Sequence, residues 1–231
     1  KKLENAFKKE RMDLYKLSAW IPVCKSMLDL GPMWLDRFVR EMLYESLAMA
    51  LEIAIVKGTG KDQPIGMIKN LSGAVVEGVY PDKDAVELDD LSPASLGSKV
   101  MAPLTKNGTK IVTGANVMLV VNPLDYWNKI FPATAMLSAT GTYVHGVLPI
   151  PAKIIQSVAV DAGKMVAGVA KDYFMGVGST QVIEFSDHYK FLEDERTYIA
   201  KQYANGKPKD NDSFIVFDVS GLEVTPGTPE V

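Results

Sequence analysis

The chain has 231 residues, 47% of them hydrophobic and 23% charged, with a formal net charge of −3. That balance excludes disordered, collagen-like and membrane-spanning chains, and the length allows one large domain or two small ones. One cysteine, Cys24, forms no internal disulfide and points to a reducing compartment, while the near-neutral charge argues against a protein that lives by neutralising phosphates.

The opening stretch, Lys1 to Arg11, is basic and no apolar run follows it, so it does not read as a signal peptide; lacking an initiator methionine, it reads as a processed or truncated start. Residues 13–24 alternate Leu14, Lys16, Ser18 and Trp20 against Tyr15, Leu17, Ala19 and Ile21, the period of a strand with one drier face, and Pro22 places that strand at an edge or ends it. Gly31-Pro32 then opens the strongest element, since proline suits a first helical position and neither Gly nor Pro intervenes from Trp34 to Lys57. Leu35, Phe38, Val39, Met42, Leu43, Leu47, Leu51 and Ala54 share one face, with Asp36, Arg37, Arg40, Glu41 and Glu45 on the other. Such a helix rises about 36 Å and should stop at Gly58-Thr59-Gly60. The longest apolar stretch, 47–56, is interrupted by Glu52 and is shorter than the roughly 18 residues a membrane span needs.

Farther on, 93–104 is predicted as a short helix, Asn107-Gly108 as a hairpin turn and 115–121 as a buried strand. Residues 125–131 read as a short helix broken by Pro132, and 146–155 as an extended segment punctuated by Pro149 and Pro151. Residues 197–203 and 213–219 look like strands, and Asn205-Gly206 between them predicts an antiparallel hairpin. The last residues, 222–231, read as a flexible tail.

Little in this order carries chemistry. Gly58-Thr59-Gly60-Lys61 fails as a P-loop: Ile55 stands where its first glycine belongs, Asp62 follows the lysine, and the motif ends a helix instead of opening one. A dinucleotide fingerprint fails as well, with Gln63 at the third-glycine position. His145, His188 and Cys24 offer no zinc spacing and no local sign of a thiol–imidazole pair. The acidic run Asp82, Asp84, Glu87, Asp89 and Asp90 lacks the glycine and distal glutamate of a calcium loop and reads as a solvated loop. Trp34, Phe38 and Tyr44 lie at helical spacing and read as packing. With no catalytic constellation, no cofactor motif and no metal site, the pattern favours a structural or assembly protein over an enzyme. The rival from another class is a small α/β enzyme holding phosphate at Gly58 to Lys61.

Certain stretches are familiar in their order and spacing: Lys16 to Leu28 around Trp20-Ile21-Pro22-Val23, then Leu35-Asp36-Arg37-Phe38-Val39, Leu47 to Glu52, and the exit Gly58-Thr59-Gly60 followed by Pro64-Ile65-Gly66. With 115–123 and 161–173 they resemble the major capsid protein of tailed bacteriophages, the shell-forming family with the HK97-type fold, over nearly all of residues 10–220. The resemblance implies an α+β fold with a spine helix at about 33–57, a peripheral P-domain from 23–64 and 169–221 that includes the C-terminal hairpin, and an axial A-domain from 65–168. Residues 1–22 would be the remnant of an E-loop strand, with the family's N-terminal arm and most of that loop lacking.

The same resemblance implies hexamers and pentamers of an icosahedral shell, packaged DNA held nonspecifically, and scaffold, protease and portal proteins as further candidate partners. The protein would reside in the virion, and in the bacterial host cytoplasm during assembly, with no membrane association. Arg37, Arg40, Glu41 and Glu45 on the helix's polar face are candidates for subunit-interface pairs. One family member crosslinks its shell through a lysine and an asparagine beside a glutamate. Alignment on Arg196 puts Asp187 at the asparagine position and Asp194 at the glutamate position, so self-crosslinking is not expected. An encapsulin-type nanocompartment shell, which shares the fold but encloses enzymes, is the near alternative.

Overall fold

Strand β1 (Tyr15–Cys24) alternates as its sequence requires, sending Leu17, Ala19, Ile21 and Val23 to one face and leaving Lys16, Ser18 and Trp20 exposed on the other. The computed structural model describes residues 13–31, 34–138, 140–178 and 182–223. The reading of the N-terminal stretch, and the expectation that Pro32 starts a helix, lie outside those residues. The chain divides into two compact units, one drawn from residues up to 51 and from 175–206, the other from 52–174 and from 207 onward.

In the first unit β1 is followed by a short helix α1 (Lys25–Leu30) and by α2 (Trp34–Lys57), the 24-residue helix that the uninterrupted sequence predicts. Val39, Leu43 and Leu47 of α2 pack on Leu17, Ala19, Ile21 and Val23 of β1 and on Tyr198 and Ala200. The seam is narrower than the predicted face, because Phe38 and Met42 lie one position, about 100°, from Val39 and Leu43 and turn to solvent. The remaining strands, in chain order, are β2 (Val86–Glu87), β3 (Val117–Val121), β4 (Met136–Leu137), β5 (Tyr143–Val144), β6 (Lys153–Gln156), β7 (Lys164–Val169), β8 (Tyr173–Val177), β9 (Val182–Lys190), β10 (Glu195–Pro208) and β11 (Phe214–Asp218). The first unit's sheet centres on β10, which pairs antiparallel with β1 from Tyr15↔Ala204 to Cys24↔Glu195 and antiparallel with β9 on its other side, with β8 as a further neighbour. Pro22 is tolerated because β1 is an edge strand among the described residues.

The second unit is built on a sheet ordered β2-β11-β7-β3-β6, antiparallel at β11–β7 and β7–β3, parallel at β3–β6 and β11–β2. β3 is buried on both faces. Val117, Leu119 and Val121 pack with Leu96, Val100, Leu104 and Ile130, while Met118 and Val120 pack with Val56, Met67, Ala159, Val160 and Phe214. That two-sided core explains the continuous apolar run of β3.

Two helices on this unit share an unusual design. α3 runs through the α-turn Pro93–Ser95, the π-helical stretch Leu96–Met101 and the α-turn Ala102–Leu104. α4 runs through Pro123–Asp125, the π-helical Tyr126–Ile130 and Phe131–Thr134. In each, a wide turn precedes an internal proline, Pro103 or Pro132, which lacks an N–H and would collide with the carbonyl four residues back. The residue before each proline bonds five residues back, Ala102 N to Gly97 O and Phe131 N to Tyr126 O. Pro132 therefore does not break α4, as the sequence predicted; the helix widens and continues to Thr134.

The predicted C-terminal hairpin is also corrected. Asn205-Gly206 lies inside β10, where Asn205 accepts a hydrogen bond from the Gly206 N–H at 2.8 Å and donates to Asp13 O at 2.6 Å, so the turn signal is absorbed locally. β11 pairs with β7 and β2 in the second unit's sheet. The hairpin that exists joins β9 to β10. Asn107-Gly108 likewise makes no hairpin: Lys106, Asn107 and Gly108 turn through positive φ directly after α3. The expected domain boundaries at 64–65 and 168–169 compare with unit boundaries at 51–52, 174–175 and 206–207, since the end of α2 and β11 join the second core. Of the predicted tail, Leu222 is buried and Glu223 N bonds Asp89 O at 2.8 Å.

Candidate subunit interface

The polar face of α2 resolves into pairs. Arg37 Nε bonds Glu41 Oε1 at 2.7 Å in the open. Arg40 Nε bonds Asp36 Oδ2 at 2.7 Å and its guanidinium lies 5.8 Å from the Tyr198 ring, while the buried Tyr198 hydroxyl donates to Asp36 Oδ1 at 2.8 Å. The Arg40 hydrogen bond, then that of Tyr198, holds the Asp36 carboxyl below its ordinary range. Of the four predicted interface residues, Arg37 and Glu41 satisfy each other, Arg40 ties α2 to β10, and Glu45 stands exposed with no partner among the described residues.

Sequence reasoning missed the apolar side of the same helix. Trp34, Phe38 and Met42 are exposed at steps of about one turn and Met49 two turns further on, with Trp34 and Phe38 edge to face at 5.7 Å. A shallow recess there is lined by Phe38, Glu41, Met42, Tyr44, Glu45 and Ala48. The signal was present in the sequence: the apolar positions of α2 cover more of its circumference than one core-facing stripe needs.

The β9–β10 hairpin gives the first unit a second apolar feature. Tyr189, Phe191 and Leu192 project from its end, Leu192 with 97% of its surface exposed. Its base is held by the Arg196–Asp187 fork at 2.7 and 3.0 Å, with the guanidinium 4.7 Å from the Phe185 ring. Arg196 in turn lowers the Asp187 carboxyl pKa. Asp194 O accepts the Lys25 N–H at 2.9 Å, and the Lys25 ammonium lies 3.8 Å from the Asp194 carboxylate and 5.5 Å from Phe191. Both aspartates singled out by alignment thus serve the hairpin's own geometry.

In the second unit α4 presents Leu124 from its first turn and Trp127 from its wide turn outward, and Trp127 leads through Phe131 at 5.2 Å to His145 at 6.0 Å. Tyr143 is exposed on the adjoining β4–β5 ribbon. Monomeric proteins rarely leave large apolar side chains clustered in water without a use.

The glycine motif at the end of α2 is a clasp. Met67 N and Ile68 N bond Ile55 O and Val56 O at 2.9 and 3.2 Å, satisfying last-turn carbonyls. The returning strand can come this close because Gly58 lacks a Cβ, which would stand on the carbonyl oxygens of Pro64 and Ala54. A helix C-terminus presents the negative end of its dipole, the wrong sign for phosphate. The acidic run disperses: Asp82 pairs with Lys69, Asp89 with Lys99, and Asp90 accepts the Ser92 N–H. Among the described residues no three acidic, histidine or cysteine side chains gather as metal ligands, and no helix is long and apolar enough to cross a membrane.

A long helix packed on a four-stranded sheet in the first unit, and a five-stranded mixed sheet in the second, are the parts of the HK97-type fold. The capsid of a native GTA particle superposes with a TM-score of 0.61 at 15% identity, covering 89% of this chain and 72% of that one. A Gordonia phage Cozz structure matches at 0.57 and 13% identity over 94% and 76%. The holo-SrpI encapsulin complex from Synechococcus elongatus matches at 0.53 and 13% over 94% and 77%. None of the curated proteins matches the sequence. The sequence model of the phage capsid family matches residues 1–219, and the chain belongs to that family. It is a capsid structural protein that assembles with copies of itself.

Proposed function

We propose that this chain is the major subunit of a tailed-phage or prophage shell, forming hexamers and pentamers of an icosahedral capsid around DNA. The observation that carries the reading is the family match over residues 1–219 together with exposed apolar features in both units. On this reading the unit containing α2 and the β9–β10 hairpin acts as the peripheral P-domain, and the unit built on β3, β7 and β11 as the axial A-domain. The role is mechanical, with no catalysis: closed symmetric shells repeat a few head-to-tail contacts, and each subunit gains stability from faces buried against its copies. Arg37, Glu41 and Glu45 remain candidates for pairs across such a contact, worth about 0–1 kcal/mol each if exposed. Assembly takes place in the bacterial host cytoplasm with scaffold, protease and portal proteins as partners, and the mature protein resides in the virion. Contact with DNA is weak and nonspecific, in keeping with the net charge of −3.

The encapsulin likeness keeps one alternative in view, a nanocompartment shell enclosing enzymes. Nucleic-acid content separates the two. Particles purified from the producing cell and treated with nuclease should retain protected double-stranded DNA; particles that retain a protein cargo and no DNA would overturn the phage reading in favour of the nanocompartment.

A further inference from the structure

Lys83 differs from the other lysines of its neighbourhood. Lys106 is paired with Asp210, Lys110 with Asp172, Lys69 with Asp82 at 2.5 Å and Lys99 with Asp89 at 3.0 Å. Lys83 Nζ instead donates to two main-chain carbonyls, Phe214 O at 2.8 Å and Met67 O at 3.4 Å, with no carboxylate within ion-pair distance among the described residues. Its side chain forms part of the wall of a cleft of about 340 Å³ that also includes Asp84, Lys106, Asn107, Asp212 and Phe214. Burial lowers the ammonium pKa to about 8, against the opposing pull of Asp212 and Asp210. At pH 7.5 about a quarter of such amines are neutral, against about one in a thousand for an ordinary lysine.

We propose that Lys83 is a modification site, its Nζ accepting an acyl group from a small acyl phosphate that enters the cleft. In the step the neutral amine attacks the acyl carbon, the C–N bond forms and the C–O bond to phosphate breaks. Inorganic phosphate leaves with the electron pair, and the amine's proton passes to phosphate or water. The cleft has room for a two-carbon acyl group. Its charges, Lys83 and Lys106 against Asp84 and Asp212, are balanced before the reaction and net negative after it. The amide keeps one N–H where the ammonium had three, so at most one of the two carbonyl bonds survives. Acylation therefore loosens the tie between the 82–84 segment and β11.

The test is to expose the full chain to acetyl phosphate and follow acetylation of each lysine by peptide mass spectrometry at several pH values. A larger neutral fraction, partly offset by the weaker nucleophilicity of a less basic amine, predicts that at pH 7.5 Lys83 reacts on the order of tenfold faster than the exposed Lys153 and Lys171. Its rate should rise with pH and level off just above pH 8. Lys83→Arg should abolish the fast site and leave the others unchanged. Lys83 reacting no faster than Lys153, or without a break near pH 8, would overturn the proposal.

Discussion

Tyr198 is fully buried, yet its hydroxyl has a place to go, because Asp36 waits one turn into α2 and is itself held by Arg40. A phenol in that position must find an acceptor or leave a polar atom stranded. Tyr198→Phe should therefore destabilise the first unit by about 0.5–1.5 kcal/mol in denaturant titration, with the unfolding slope unchanged. Lys83 makes the opposite case, a charge whose burial opposes folding. Its folded pKa of about 8 lies below the unfolded value of 10.5, so the unfolded chain binds more protons between those values and stability rises with pH across that window. Allowing for partial exposure, the gain is roughly 1–2 kcal/mol. The stability of the native chain minus that of Lys83→Met, followed from pH 7 to 10.5, should climb; a flat difference would mean that Lys83 keeps an ordinary pKa.

At the scale of elements, glycine marks where the chain closes on itself. Gly58→Ala would force the returning strand off the last turn of α2 and should cost about 1–3 kcal/mol. Gly97 sits in the π-helical stretch of α3 with open space around it, so Gly97→Ala should stabilise by about 0.5–1 kcal/mol. Thermal unfolding of the two variants should shift in opposite directions. The sequence made α2 legible because period and punctuation agreed: apolar residues at helical spacing, no breaker, and glycine at the exit. It made β3 legible because a strand covered on both faces is apolar throughout. The C-terminal pairing was not legible. Asn205-Gly206 carries a turn signature, but two side-chain hydrogen bonds keep it within β10, and the partners of β11 lie about fifty residues earlier in β7 and about 130 earlier in β2. Local pattern holds no record of such long-range pairing. Pro132 misled for a related reason, since a helix can widen to admit a proline and nothing in the flanking residues announces the wider turn.

At the scale of the whole molecule, the family was legible from the order of its stretches, while the surface was read too narrowly. Charges on α2 drew attention as contact residues, yet Arg40 is engaged within its own unit, and the larger exposed features are apolar: Phe38 and Met42 on the helix, Phe191 and Leu192 on the hairpin, Leu124 and Trp127 on α4. A shell subunit needs such faces, because copies of itself supply the water-excluding partner. Leu192→Ser and Trp127→Ser, both at exposed positions, should change subunit stability by no more than about 0.5 kcal/mol while lowering the yield of assembled particles. The most direct measurement is mass in solution by light scattering behind size exclusion, with negative-stain images of the same peak. Self-assembly predicts species of five or six times 25.2 kDa, or closed shells, for the native chain. A 25.2 kDa monomer at every concentration, with no rings or shells in the images, would contradict it.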